Sequence, residues 1–165
     1  MIITNEKSLA LVDLANSMIG SSRMTLERLF KREVDRVEKE SFATSFVQHC
    51  IKEVESKFNN KSLLFSTDSS QVMWAKTPKL ARLKHPEPGC IVVWTKMHLG
   101  LPTSTGHVAI VREVLDDKMM LTIETNSSYF HTSAISEKDG IYLKHRHIRS
   151  VNPTMQTSGF LLPWA

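Results

Sequence analysis

The chain has 165 residues, of which 41% are hydrophobic, and this size and composition fit a single globular domain spanning residues 1–165. Two cysteines are too few for a disulfide framework, so folding requires no oxidising compartment. The 21 basic and 17 acidic residues leave a net charge of +4, which suits an anionic partner, either an envelope polymer or a nucleic acid.

No export signal is predicted at the N-terminus. Residues 1–6 lack a basic region, and the apolar stretch after them is interrupted by Asp13 and Asn16. No run elsewhere approaches the ~20 apolar residues of a membrane-spanning helix. We therefore expect synthesis in the cytoplasm without a signal peptide, and no transmembrane segment.

A strong helical pattern begins at Ser41, which is a suitable N-cap. Apolar residues then recur at helical spacing: Phe42, Phe46, Val47, Cys50, Ile51, Val54 and Phe58. This start places Ala43 in the first helical turn. A thiol at that position would meet unpaired backbone N–H groups and the positive end of the helix dipole, which both favour thiolate.

The residues that have nucleophilic side chains are less well placed than position 43. Cys50 falls two turns inside the helix on its apolar side, and Cys90 falls at the start of a predicted buried strand, so we interpret both as structural. Ser45 lies about 200° around the helix from Ala43 and should point away from any group that Ala43 faces.

Residues 106–126 are predicted to form a β-hairpin with a two-residue turn at Asp116 and Asp117. Residues 99–106, rich in small side chains, are interpreted as a loop that lines or gates a cleft. Counting back from the turn in antiparallel register gives the pairs Glu113–Met120, Val111–Thr122, Ala109–Glu124 and His107–Asn126, with all side chains on one face.

This register brings together the groups that a general base needs. The imidazole of His107 lies opposite the amide of Asn126 and diagonal to the carboxylate of Glu124, an arrangement that fixes the tautomer of a histidine. The alternative is a histidine at a strand edge beside polar loop residues, because a one-residue slip would separate His107 from both partners.

Residues 144–149 form the densest basic cluster, but their alternating pattern divides them between two faces of a strand. We interpret the cluster as a solvated strand and predict no nucleic-acid partner, since no nucleic-acid motif accompanies it. His145 and His147 would share a face, yet no third residue has the spacing of a metal ligand. The sequence therefore predicts no metal site.

Together the elements predict an α+β fold, with helices in the first half followed by an antiparallel sheet of about five strands. The strands are expected from Cys90, His107, Lys118, Ile141 and Phe160 onward.

Several segments resemble one family in the order in which that family has them. Residues 42–47, Phe-Ala-Thr-Ser-Phe-Val, resemble the Trp-Cys-Ala-Ala-Phe-Val type motif of the CHAP peptidoglycan hydrolases, the cysteine, histidine-dependent amidohydrolases and peptidases, with Ala43 at the cysteine. Residues 9–20 resemble the leading helix, and residues 70–84 the segment around a tryptophan. Residues 86–94, 106–108 and 123–126 resemble the turn, strand and hairpin that follow, although Thr125 stands where the family often has glycine.

The resemblance implies a papain-like CHAP fold in which the helix start packs on the sheet and brings position 43 to His107. It also implies the chemistry of a parent enzyme, in which a cysteine at 43 attacks an amide carbonyl of peptidoglycan. His107 would transfer the proton, Glu124 would orient His107, and Asn126 would assist its placement or bind substrate. Backbone N–H groups near Ala43 and Thr44 would stabilise the oxyanion, and no metal or organic cofactor would be needed.

Three explanations of Ala43 remain open: an engineered replacement of the cysteine, natural loss in a non-catalytic protein that binds peptidoglycan or peptide, and an ordinary core residue that is wrongly aligned with the cysteine. We favour replacement, because His107, Glu124 and Asn126 keep the spacing of the family. Two biological roles fit, a phage lysin and an antibacterial effector. Either would act in the periplasm or cell wall after phage lysis or delivery by secretion machinery, and an effector would be expected to have an immunity protein.

Overall fold

Helices precede the sheet in the computed structural model of the chain, which describes residues 5–21, 25, 28, 39–125, 140–149 and 153–165. Within these ranges the α-helices are α1 (Glu6–Ser17), α2 (Lys39–Phe58) and α3 (Ser70–Lys76), followed by a 3-10 turn, Lys79–Ala81. The side chains of Asn5 and Ser69 accept backbone N–H groups at the starts of α1 and α3 and so cap these helices. The helices of the described residues include none with the length and apolar character of a membrane span.

The described strands form one antiparallel sheet in the order β1-β6-β2-β3-β4-β5. Their bounds are β1 Arg82–Leu83, β2 Ile91–His98, β3 Leu101–Val114, β4 Met119–Thr125, β5 Ile141–His147 and β6 Met155–Leu161. The predicted α+β class is confirmed. The sixth strand is β1, whose two residues are too few to show an alternating pattern in the sequence.

The segment that was expected to be a loop before His107 is instead part of β3. Leu99 and Gly100 have φ angles of 50° and 77° and connect β2 to β3 directly, with His98 paired to Leu101. Two consecutive residues with positive φ form the tight turn whose twist matches that of paired strands. The interpretation of residues 99–106 as a loop beside a cleft was therefore wrong, because the chain turns at 99–100 and is extended from Leu101.

Two apolar clusters cover the two sides of the sheet. The helix-side cluster joins the buried faces of α1 and α2 to alternate residues of the strands, among them Val108 and Ile110 on β3. The far-side cluster contains the residues of opposite parity, and its members are Cys90, Val92, Trp94, Ala109, Val111, Met120, Ile148, Met155 and Phe160. Since successive side chains of a strand point to opposite faces, the parity of a residue decides which cluster it joins.

Candidate active site

His107 and Glu124 are in contact on neighbouring strands, as the hairpin pattern predicted. The distance from Nε2 of His107 on β3 to Oε1 of Glu124 on β4 is 3.3 Å. The imidazole is 2% exposed and the carboxylate 0%. Two polar groups buried to this extent are stable only if they find partners inside the protein, and here they partner each other.

The register behind this contact was correct near the site and wrong near the turn. Val111 pairs with Thr122 as predicted, but Glu113 pairs with Leu121 and not with Met120. The connection is one residue longer than predicted, because the carboxylate of Asp116 accepts the N–H groups of Lys118 and Met119 and holds an open turn. A bulge between Val111 and Glu113 then takes up one extra residue on β3 and restores the predicted pairing.

Trp94 covers the imidazole on the far side of the sheet. It pairs with His107 between β2 and β3, and the two rings stack at a centroid distance of 5.6 Å with an angle of 21° between their planes. Stacking holds the ring plane of His107 while Glu124 fixes the direction of Nε2. The sequence did not identify Trp94 as part of the site, although its strand alternates with the right parity.

Every side of the Glu124 carboxylate is occupied by a donor. Oε2 accepts the Oγ1 hydroxyl of Thr122 and Nε of Arg146, the latter at 3.1 Å. Oε1 accepts Nη2 of Arg146 in addition to the contact with His107. Burial by itself raises the pKa of Glu124, but the hydrogen bond from His107 and the charge and hydrogen bonds of Arg146 outweigh it and lower this pKa to about 2. The carboxylate is therefore ionised at neutral pH.

Arg146 was missed because residues 144–149 were interpreted as a solvated strand. The pairing of β4 with β5 sets Arg146 opposite Met120 and Tyr142 opposite Glu124, so these residues share the face of the site. Alternation along β5 could have indicated that face. The register of β5 against β4 could not be counted from the sequence, because residues 126–139 separate the two strands.

A glycine is required next to His107. A Cβ atom on Gly106 would lie 1.9 Å from the carbonyl oxygen of Trp94 and 2.5 Å from Nε2 of Gln71. Gln71, on α3, donates from that Nε2 to the same carbonyl at 2.9 Å and accepts the hydroxyl of Thr95 at 2.8 Å. This contact ties α3 to the strands at the level of the imidazole.

Ala43 lies in the apolar core between α2 and the sheet. It is 0% exposed and belongs to the helix-side cluster together with Val108 and Ile110. His107 has the opposite parity on β3 and stacks on Trp94, a member of the far-side cluster. The described contacts thus bring His107 and Glu124 together and place Ala43 on α2, the helix that packs on β3 and β4.

The helix that carries Ala43 begins earlier than predicted. Its first described residue is Lys39 and not the residue after Ser41, so Ala43 falls in the second turn or later. In an α-helix the N–H groups at 43 and 44 bond to carbonyls four residues earlier, and the dipole acts mainly at the first turn. The expected oxyanion donors near Ala43 and Thr44 are therefore a wrong prediction for this helix.

The two cysteines are buried, as predicted. Cys50 is in the helix-side cluster, where its thiol approaches the sulfur of Met18 at 3.7 Å, and burial raises its pKa. Cys90 is in the far-side cluster, and burial raises the pKa of its thiol to about 12. Neither thiol forms a nucleophilic thiolate at neutral pH. Asn126, the remaining predicted site residue, lies outside the described residues.

Comparison with protein families gives a match to the CHAP domain over residues 38–126, which is more than half of the chain. A comparison with curated proteins and with solved structures found no match. The chain belongs to the CHAP domain family, whose members are cysteine, histidine-dependent peptidoglycan hydrolases and amidases with a papain-like fold. The matched region contains Ala43, His107, Glu124 and Asn126.

Proposed function

We propose that residues 1–165 form one catalytic domain of a peptidoglycan amidase or endopeptidase of the thiol type, in which Ala43 occupies the nucleophile position. With alanine there, the protein is inactive. The observation that carries this proposal is the buried pair of His107 and Glu124, which is held by Arg146 and Thr122.

This buried pair is costly as a purely structural feature. Taking a carboxylate out of water costs several kcal/mol, and apolar residues of similar volume often replace buried ions with equal or greater stability. The carboxylate of Glu124 is 0% exposed on a face of the sheet that also carries the apolar far-side cluster. A role in orienting an imidazole for proton transfer accounts for the arrangement, whereas core packing does not.

The contact with Glu124 assigns roles to the two ring nitrogens. Because Glu124 accepts from Nε2, that nitrogen carries the proton, and Nδ1 is the basic nitrogen of the neutral ring. In the parent enzyme, Nδ1 of His107 takes the proton of a thiol at 43 while the sulfur attacks the amide carbonyl. The C–N bond then breaks, and Nδ1–H gives its proton to the leaving amine.

Water completes the cycle by hydrolysing the thioester, which returns the thiol and releases the acid. Asn126 is assigned to placement of His107 or to substrate binding, on the family motif alone. The mechanism needs no metal or organic cofactor.

A second candidate is a non-catalytic module that binds peptidoglycan or peptide. The observation in its favour is that Ala43 is 0% exposed and fits the apolar helix-side cluster as an ordinary core residue. In that case Ala43 is native, and the site binds its ligand without cleaving it.

The setting that we propose is antibacterial, as a phage lysin or a secreted effector. The net charge of +4 favours association with an anionic envelope. The protein would be made in the cytoplasm without a signal peptide and would reach the periplasm or cell wall by phage lysis or a secretion system. An immunity protein is an expected partner only in the effector case.

Restoring the nucleophile tests the proposal. Ala43→Cys should convert an inert protein into one that clears purified peptidoglycan, with the released fragments identified by mass spectrometry. Ala43→Ser is the matched control, because a hydroxyl of similar size is far less nucleophilic than a thiol near neutral pH. If Ala43→Cys folds but stays inert on walls of several peptidoglycan types, while the Ala43 form binds them, the binding module is the better interpretation.

A further inference from the structure

The guanidinium of Arg146 donates two hydrogen bonds to the carboxylate of Glu124. Nε donates to Oε2 at 3.1 Å and Nη2 donates to Oε1. The arginine side chain is only 15% exposed, so water screens this pair weakly. Bidentate contact fixes the carboxylate plane as well as its position, which a single-point contact from lysine would not do.

The remaining capacity of Glu124 is used by other protein groups. A carboxylate offers about four lone-pair directions. Here they are taken by two donors of Arg146, the hydroxyl of Thr122 and Nε2 of His107. Glu124 thus acts on the reaction only through His107, and whatever holds Glu124 also holds the imidazole.

We propose that Arg146 is a positioning residue that keeps Glu124 ionised and aligned, so that Nε2 of His107 retains its proton and Nδ1 is the base. The role of Nδ1 as a base rests on the proposed function, because a base is needed only if residue 43 of the parent enzyme is a nucleophile. The effect on the tautomer of His107 does not depend on the nucleophile.

No other described cation takes the place of Arg146 at this carboxylate. Lys144 shares its face of β5, but its Nζ lies over the ring of Tyr142 at 5.1 Å from the centroid. Without Arg146, the carboxylate would be buried with only Thr122 and His107 as described partners. The carboxylate would then take up a proton, or it would favour the doubly protonated imidazole. Either outcome changes the hydrogen bond between Nε2 of His107 and Glu124.

Nuclear magnetic resonance on the protein with Ala43 tests the tautomer directly. In ¹⁵N-labelled protein, the ring nitrogens of His107 are assigned by their loss in His107→Gln. The protein with Ala43 and no other change should show a protonated Nε2 and an unprotonated Nδ1. Arg146→Met should shift His107 to mixed tautomers or to the imidazolium, and Arg146→Lys should give an intermediate spectrum.

Arg149→Met is the matched control, because Arg149 is exposed just beyond β5 and should leave the spectrum unchanged. Circular dichroism checks the fold of each variant. If Arg146→Met does not fold, Arg146→Gln takes its place, because it keeps a polar donor but removes the charge. The same change in the ring-nitrogen spectrum of His107 is expected for it. A parent-like His107 spectrum in a folded variant that lacks the guanidinium would overturn the proposal.

Activity in the Ala43→Cys background provides the second measurement. Adding Arg146→Met should lower kcat by roughly 10- to 100-fold, as loss of an outer partner does at other sites, with little change in KM. Unchanged kcat would overturn the positioning role. If Ala43→Cys itself is inert, the proposed function fails, while the NMR measurement still decides the role of Arg146.

Discussion

The two sides of the sheet are built on different physical grounds. The helix side is an apolar cluster into which α1 and α2 pack, and Ala43 is one of its small members. The far side has an apolar cluster as well, but it also carries a buried imidazole and carboxylate and a guanidinium that is 15% exposed. Burial of apolar surface stabilises the first side whatever the details of pairing.

The far side is more demanding, because a buried charge is tolerated only when its partner is in the right place. Each group of the far-side site comes from a different strand: His107 from β3, Glu124 from β4 and Arg146 from β5. A slip of one residue in either pairing would move a charged group to the helix side, where no described partner meets it. Chemistry is therefore concentrated on the side whose structure depends most on register.

The largest expected effect is on the rate of hydrolysis, and it distinguishes the base, His107, from its orienting partner, Glu124. In the Ala43→Cys background, His107→Ala should remove nearly all hydrolysis, because no other group takes the thiol proton. Glu124→Gln should keep a measurable rate, since the base remains and only its orientation is weakened. Initial rates on purified peptidoglycan give the comparison.

Asp117→Asn serves as the control for these two variants, because Asp117 is exposed in the β3–β4 turn, away from the pair. It should hydrolyse peptidoglycan at the rate of the Ala43→Cys parent. Equal rates for His107→Ala and the Ala43→Cys protein would show that His107 is not the base. The far side of the sheet would then have no catalytic role.

A smaller effect is expected where α3 meets the strands beside His107. Gly106→Ala would push a methyl group into the carbonyl of Trp94, which is backbone and yields little. Overpacking of this kind costs about 1–3 kcal/mol, and we expect a loss of this order in the free energy of unfolding, measured by urea denaturation.

Gly140→Ala is the control for that substitution. Its nearest neighbour would be the carbonyl oxygen of Ser21 at 3.1 Å, a contact that a shift of a few tenths of an ångström relieves. It should lose clearly less stability than Gly106→Ala. A similar loss in both variants would mean that the close approach at Gly106 is not special to the site.

The sequence predicted the helix side better than the far side, for a physical reason. Helical periodicity over 42–58 identifies the buried face of α2 without reference to any other segment. It does not mark where the helix begins, and the start at Lys39 removes Ala43 from the first turn. The site depends on pairing between strands, which a sequence specifies only through turns and bulges.

The contact of His107 with Glu124 was predicted correctly through two errors that cancel. The turn at Asp116 is one residue longer than the two-residue turn assumed, and the bulge after Val111 compensates for it. Trp94 was not assigned, because residues 99–106 were interpreted as a loop and the turn at Leu99 and Gly100, which pairs β2 with β3, was missed. Arg146 could not be assigned, because no local turn pattern sets the register of β5 against β4. Local patterns thus predicted one pair of the site and not the groups around it.

The smallest expected effect concerns stability in acid and tests whether Glu124 is ionised in the folded protein. Its pKa is about 2 when folded, against an ordinary value of 4.5, so between these pH values the unfolded chain binds a proton that the folded chain does not. The stabilisation from the ionised carboxylate is complete above about pH 4.5 and is lost as the pH falls toward 2. Urea denaturation of the Ala43 protein and of its Glu124→Gln variant at several pH values should show their difference in unfolding free energy shrinking across this window.

Asp116→Asn is the control. The N–H groups of Lys118 and Met119 also lower the pKa of Asp116, but this residue is fully exposed, so the difference in unfolding free energy between Asp116→Asn and the Ala43 protein should change less with pH. A difference between parent and Glu124→Gln that stays constant from neutral pH to pH 3 would mean that the far side does not hold an ionised carboxylate.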